Sequence, residues 1–178
     1  SNSSDQVWCN IRVGNENILC GCVYRPGSLG RECLEEVTAN INKAKTAHNN
    51  KQITGILICG DLNLPAIEWT DEKIPIISTS NTEAEQFVES LESNFLHQHV
   101  YKATFQHDDD IPGNTLDLII TELDSRIFTI EHLPLLGDIR HGHRPLRFDY
   151  TFSGKQQAAE FHSDSLLYRK ANYEIIIS

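Results

Sequence analysis

The chain contains no methionine. It reads as a processed product or a piece of a longer polypeptide, not as one that opens at an initiator. Its five cysteines, Cys9, Cys20, Cys22, Cys33 and Cys59, are an odd number and include no Cys-x-x-Cys pair. That pattern speaks against a disulfide framework and a thiolate zinc site, and implies a reduced, intracellular setting, nuclear or cytoplasmic. Apolar runs are short, such as Ile56-Leu57-Ile58-Cys59, which rules out an integral membrane protein. Ser1 to Gln6 is polar, carries no signal-peptide pattern and reads as a linker remnant. Basic residues are in deficit: 15 Lys and Arg against 25 Asp and Glu leave a net charge of −10. A dedicated nucleic-acid binder needs Lys and Arg to neutralise phosphates, so that class is disfavoured. An enzyme touching nucleic acid through one local patch is still compatible.

What is present is ordinary for a soluble domain: 178 residues, 39% apolar and 22% charged. This length suits one domain, here residues 1–152, followed by a polar linker and the start of a helix over 153–178. Val7, Cys9, Ile11 and Val13 alternate with mostly polar neighbours and predict a half-buried strand, which turns at Gly14 to Asn17 into a returning strand over 18–24. Leu34, Val37, Ile41 and Ala44 recur at helical spacing and predict a helix over 31–48. Residues 53–59 form a β-branched, apolar run suited to a central strand buried on both faces. Ser80-Asn81-Thr82-Glu83 has the capping-box pattern before a helix carrying Ala84, Phe87, Val88, Leu91 and Phe95. Further strands are predicted over 100–105, 116–121, 127–133 and 146–152, with an acidic loop at 106–113 and a Gly- and His-rich loop at 136–145. Trp8 and Trp69 read as core or sheet-face residues. The order predicts a mixed α/β (α+β) domain, a mainly antiparallel sheet covered by helices.

Three loops at strand ends carry groups that could converge. Asp61 and Asn63, spaced i, i+2, point a carboxylate and an amide the same way; they suit either a water-orienting, phosphate-binding pair or a plain Asx turn. Asp117 interrupts an apolar strand and needs a partner if buried; a histidine, whose tautomer it would hold, competes with an edge-strand Asp in solvent. Arg140-His141-Gly142-His143-Arg144 offers histidines as a general base, as metal ligands, or as a solvated loop. Tyr24, ending its strand before Arg25-Pro26, suits a phenol in the same cleft or a packed aromatic.

These segments, in order, resemble the endonuclease/exonuclease/phosphatase superfamily, and within it the apurinic-like endonuclease domain of non-LTR (LINE-type) retrotransposons. They are Val23-Tyr24-Arg25-Pro26, Gly60-Asp61-Leu62-Asn63-Leu64-Pro65 with Ile67-Glu68-Trp69, Asn94-Phe95-Leu96-His97-Gln98, Thr115-Leu116-Asp117-Leu118-Ile119, and Leu136-Gly137 leading to the histidine loop. Arg169 to Tyr173 resembles the segment that leads on to a reverse transcriptase. The resemblance implies a four-layer α/β sandwich and Mg²⁺-dependent phosphodiester cleavage, with DNA as partner. By position, Asp61 would orient the attacking water, Asn63 would contact the scissile phosphate, and Tyr24 would add to the phosphate site. His143 or His141 would work on that phosphate, and Asp117 would hold that histidine.

The chain departs from the family in two places. The Ser-Asp-His motif before the last strand places its histidine at His141 when counted from Leu136-Gly137. Counted back from Phe148-Asp149-Tyr150, it falls at His143, which His-x-Pro-Leu also favours. In either register the aspartate is absent, and Asp138 is only a displaced substitute. The N-terminal half expected before Asp5, with its metal-binding Glu, is not in the chain, so no metal ligand is assigned and Mg²⁺ retention is in question. The resulting expectation is a retrotransposon-derived endonuclease fragment with one exposed apolar sheet face, impaired or inactive as it stands. That face calls for self-association or a missing half supplied elsewhere. Two other readings compete: a non-catalytic interaction module, and a phosphatase of small phosphorylated molecules.

Overall fold

A computed structural model describes residues 4–28, 30–77, 81–107, 113–135 and 142–152. The elements in chain order are β1 (Asp5–Val13), β2 (Glu16–Tyr24), α1 (Arg31–Asn49), β3 (Gly55–Asp61), β4 (Ile67–Trp69), β5 (Pro75–Ile77), α2 (Thr82–Ser93), β6 (His97–Gln98), β7 (Phe105–Gln106), β8 (Asp117–Thr121), β9 (Ile127–His132), β10 (Gly142–His143) and β11 (Leu146–Tyr150). The main sheet has the order β1-β2-β3-β8-β6. Only β2 and β3 run parallel, as a crossover through α1 requires; the other pairings are antiparallel.

Period-two alternation divides each strand between two faces. Leu19 and Val23, Ile56 and Ile58, and Leu118 and Ile120 pack against Leu34, Val37 and Ile41 of α1 and Phe87, Val88 and Leu91 of α2. Each fully buried aliphatic side chain contributes about 1.5–3 kcal/mol, so this helix-covered face is the main source of stability. Trp8 lies across Gly21, its strand partner, where a Cβ would sit 2.6 Å from the indole ring. Gly60 has φ +148°, and a Cβ there would lie 1.8 Å from the Val23 carbonyl oxygen, so only glycine fits beside β2.

The opposite face is covered unevenly. At one end Arg126 and Tyr150 lie over Gly55, bringing the β9–β11 pair onto Ile18. Over β1 the face is open: Val7 is 70% exposed, Ile11 44% and Val13 40%. Cys9, Cys20 and Cys22 share that face by register. Strand β3 is central, as expected, but not buried on both faces: Leu57 and Cys59 on this side are only half-buried.

Three local expectations are corrected. Residues 100–104 are not a strand. The Gln98 side chain takes both the N–H and the carbonyl of Val100, so the segment opens without a ladder; cross-strand bonds begin at Thr104 and the strand proper at β7. The cap of α2 is Asn81, whose side chain accepts from Ala84 N at 3.0 Å; Ser80 lies outside the described residues. Phe95 is not on the buried stripe of α2: it follows the helix at φ +51° and is 78% exposed. Residues 153–178, assigned above to a linker and helix, lie outside the described residues, and no helix among the described residues is long and apolar enough to cross a membrane.

Candidate active site

Register places the site. Tyr24 stands opposite Asp61, and Asp61 opposite Asp117, in one row across β2, β3 and β8 at the strand ends. That row lies on the face away from the helices. Residues two apart on these strands share it, so Cys22 and Cys59 stand directly behind Tyr24 and Asp61.

Asp61 and Asn63 form a tight loop. Asn63 N donates to Asp61 Oδ1 at 3.0 Å, and Asn63 Nδ2 donates to Asp61 Oδ2 at 3.2 Å and to the Arg25 carbonyl at 3.1 Å. Asn63 sits at φ +49°, a left-handed conformation that Asn adopts more readily than most residues. The Asx-turn arrangement is therefore present, and it also aims the pair at the cleft. Arg25, 4% exposed, lies beneath: its guanidinium donates to the Asn63 carbonyl at 3.1 Å and pairs with Glu83 at 2.9 Å.

His143 reaches the row from β10. Its Nδ1 is 2.8 Å from Asp117 Oδ2, and its Nε2 is 3.6 Å from Asp61 Oδ2. The Asp117 contact assigns the proton of a neutral ring to Nδ1 and leaves Nε2 unprotonated toward Asp61. Burial raises the Asp61 pKa, and the Asp117 carboxylate raises it further; His143 and the Asn63 N–H pull the other way. Asp61, Asp117 and His143 each offer a ligand atom, all within 4.8 Å of one another. His141, Arg140 and Asp138 lie outside the described residues.

A cleft of about 580 Å³ opens over these groups, lined by Tyr24, Asp61, Asn63, Phe105, His107, Leu116, Asp117 and His143. Tyr24 is 47% exposed there. The sequence reading passed over His107. The Phe105 ring meets His107 and His143 edge-on, at centroid distances of 4.7 and 4.8 Å. His107 Nε2 is 3.0 Å from Asn114 Nδ2, so it accepts from that amide. The i, i+2 spacing of Phe105 and His107 was the available signal: it puts both on one side of an extended segment.

The arrangement can orient a water against an electrophile, hold an imidazole in a fixed tautomer, and offer amide and phenol donors to an anion. A family model described as endonuclease–reverse transcriptase matches residues 18–138, about two thirds of the chain. No curated protein matches. Among solved structures, the endonuclease domain of TRAS1, a telomere-specific non-LTR retrotransposon, is similar at 14% identity and TM-score 0.57, over 84% of this chain and 64% of that one. The 3′ phosphatase NExo from Neisseria, bound to a product DNA hairpin, is similar at 12% identity and TM-score 0.53, over 82% and 65%. The 3′-5′ exonuclease NExo from Neisseria meningitidis follows at 15% identity and TM-score 0.51, over 75% and 62%. The chain thus spans less than two thirds of the length of these relatives. Its mixed sheet backed by two helices is the α/β fold they share, and by its sequence the chain belongs to the endonuclease–reverse transcriptase family of the endonuclease/exonuclease/phosphatase superfamily.

Proposed function

We propose that this cleft binds a DNA phosphodiester and that the chain carries the phosphate-handling part of a DNA-nicking endonuclease site. The observation that carries this reading is the Asp117–His143–Asp61 array, with His143 Nε2 toward Asp61 and Nδ1 held by Asp117. In this reading Asp61 orients the attacking water, Tyr24 donates to the phosphate oxygens, and Asn63 contacts the scissile phosphate by exchanging one of its present amide bonds. His143 meets the charge that develops there, and Asp117 fixes its ring. The donor set suits a hard divalent cation. The Asp117 carboxylate disfavours ionisation of Asp61, a cost that a cation such as Mg²⁺ beside them would remove. When bound, Mg²⁺ would neutralise charge on the phosphate. Asp61 and Asp117 are the carboxylates of this chain that would hold the cation.

Plasmid nicking in Mg²⁺ tests the reading, with Asp61→Ala/His143→Ala prepared identically. Conversion of supercoiled to open-circular DNA by the wild-type chain, lost in the variant, is the expected result. Equal background in both would refute it. The apolar strip over Val7, Ile11 and Val13 favours a second reading, a module that binds a partner and does not cut. That reading expects concentration-dependent association by sedimentation together with no nicking. Hydrolysis of phosphorylated lipids in preference to plasmid or abasic DNA would instead point to a small-molecule phosphatase.

A further inference from the structure

Thr104 is fully buried, at 0% exposure, and lies outside the row of site residues. Its hydroxyl oxygen accepts from two consecutive backbone amides, Leu116 N at 3.0 Å and Asp117 N at 2.9 Å. Its carbonyl accepts from Arg144 N at 2.7 Å, the residue after His143. Its own N–H donates to the Asn114 carbonyl at 2.9 Å. One residue therefore ties the start of β8, which carries Asp117, to the end of β10, which carries His143. Each segment has one further backbone anchor nearby: Leu62 N donates to the Leu116 carbonyl and Leu133 N to the Pro145 carbonyl, both at 2.9 Å. Among the described residues, strand β10 pairs with β7 through Gly142 and His143, and Asp117 is the last rung of β8 against β3. The His143–Asp117 contact thus joins two segments that Thr104 ties together directly, from its hydroxyl to one and its carbonyl to the other.

We infer that Thr104 is a positioning residue for the Asp117–His143 pair, its hydroxyl setting the backbone at Asp117 while its carbonyl sets the strand that carries His143. The inference rests on the phosphodiesterase reading only for its kinetic consequence. Only the hydroxyl can be removed by substitution, and Thr104→Val does so at nearly constant shape. The buried Leu116 amide and the half-buried Asp117 amide then lose their acceptor, and the Asp117 backbone moves to find another. Displacements of about 1 Å in such arrays cost up to about a hundredfold in rate. The substrate contacts Tyr24 and Asn63 are untouched, so the loss falls on kcat and not on KM.

The test compares wild type, Thr104→Val and Thr104→Ser by two readouts. The first is cleavage of a labelled duplex in Mg²⁺. The expected result is a kcat loss of about tenfold or more in Thr104→Val with KM within twofold, restored by Thr104→Ser. The second needs no turnover: the ring-nitrogen NMR signals of His143 report its tautomer, expected to shift in Thr104→Val and return in Thr104→Ser. Unchanged His143 nitrogens in Thr104→Val, or a Thr104→Ser variant as impaired as Thr104→Val, would overturn the inference. A wild-type chain that does not cut would sink the phosphodiesterase reading and leave the NMR test standing. Should Thr104→Val fail to fold, hydrogen exchange of the Leu116 and Asp117 amides in the wild type decides: strong protection is expected, and exchange at loop rates would remove the brace.

Discussion

Replacing Arg126 with Met should destabilise this protein more than almost any other single substitution. Arg126 is 3% exposed, and its two carboxylate partners, Glu16 and Glu122, are 6% and 4% exposed. The guanidinium makes five hydrogen bonds: Nε to Glu122 at 2.7 Å, Nη1 to Glu16 at 3.2 Å and to the Thr151 carbonyl at 3.0 Å, and Nη2 to Glu16 at 2.9 Å and to the Thr54 carbonyl at 3.2 Å. Burial alone would lower the Arg126 pKa; the bonds to Glu16 and Glu122 outweigh it and hold the pKa above its ordinary value. Met fills much of the volume but leaves two buried carboxylates facing each other without their cation. Breaking such a cluster costs about 3–5 kcal/mol, a large share of a typical domain's stability of about 5–15 kcal/mol. The melting temperature should fall by about 10 °C. Urea denaturation at neutral pH measures the loss. Adding Glu16→Gln and Glu122→Gln should return part of it, because the uncompensated charge is then gone. A loss below about 1 kcal/mol in the single variant would refute the reasoning, since it would mean that water already solvates the cluster. Glu16 of the clasp sits about 26 Å along β2 from Tyr24, so under the proposed phosphodiesterase reading the folded variant at low temperature should keep the wild-type KM for DNA.

Two further predictions follow from buried groups. Burial, with His97 and Lys73 acting in the same direction against Asp124, lowers the His99 pKa from 6.5 to about 4, and its Nε2 is 2.7 Å from Thr121 Oγ1. The unfolded chain therefore takes up a proton below about pH 6.5 while the folded one waits until about 4; stability from this group falls across that window by about 3 kcal/mol, and urea midpoints between pH 7 and 4 should flatten in His99→Gln. Cys9 and Cys22 are exposed, whereas Cys33 is buried and burial, with Cys20 and Cys22 adding to it, pushes the Cys59 thiol up to about 12; iodoacetamide at pH 7.5 should label the first two under native conditions and the other two only in denaturant, as peptide mass spectrometry would show.

Particular residues show how much was legible beforehand. The stripe of Leu34, Val37, Ile41 and Ala44 was readable as the buried face of α1 because helical periodicity depends only on near neighbours in sequence. Strands β1, β2, β3, β8, β9 and β11 were readable for the same reason, within a few residues at their ends. The short strands β4, β5, β6 and β10 were not, since two or three residues carry no period. The segment 100–104 looked like a strand by composition, yet the Gln98 side chain had already taken the backbone groups of Val100. Phe95 matched the helical spacing, but the helix had ended at Ser93.

The sequence by itself determined the longer elements, the family and the residue types at the strand ends, because alternation, helical spacing and ordered motifs are local properties. Only the tertiary structure decided that Asp61, Asp117 and His143 lie within 4.8 Å of one another. It alone showed that Arg126 clasps Glu16 across 110 residues, that Thr104 bridges two site-bearing strands, and that His107 lines the cleft. Convergence of that kind depends on strand order and register. Those are set by which apolar faces pack together, and a shift of one residue would send Tyr24, Asp61 and Asp117 to the opposite face.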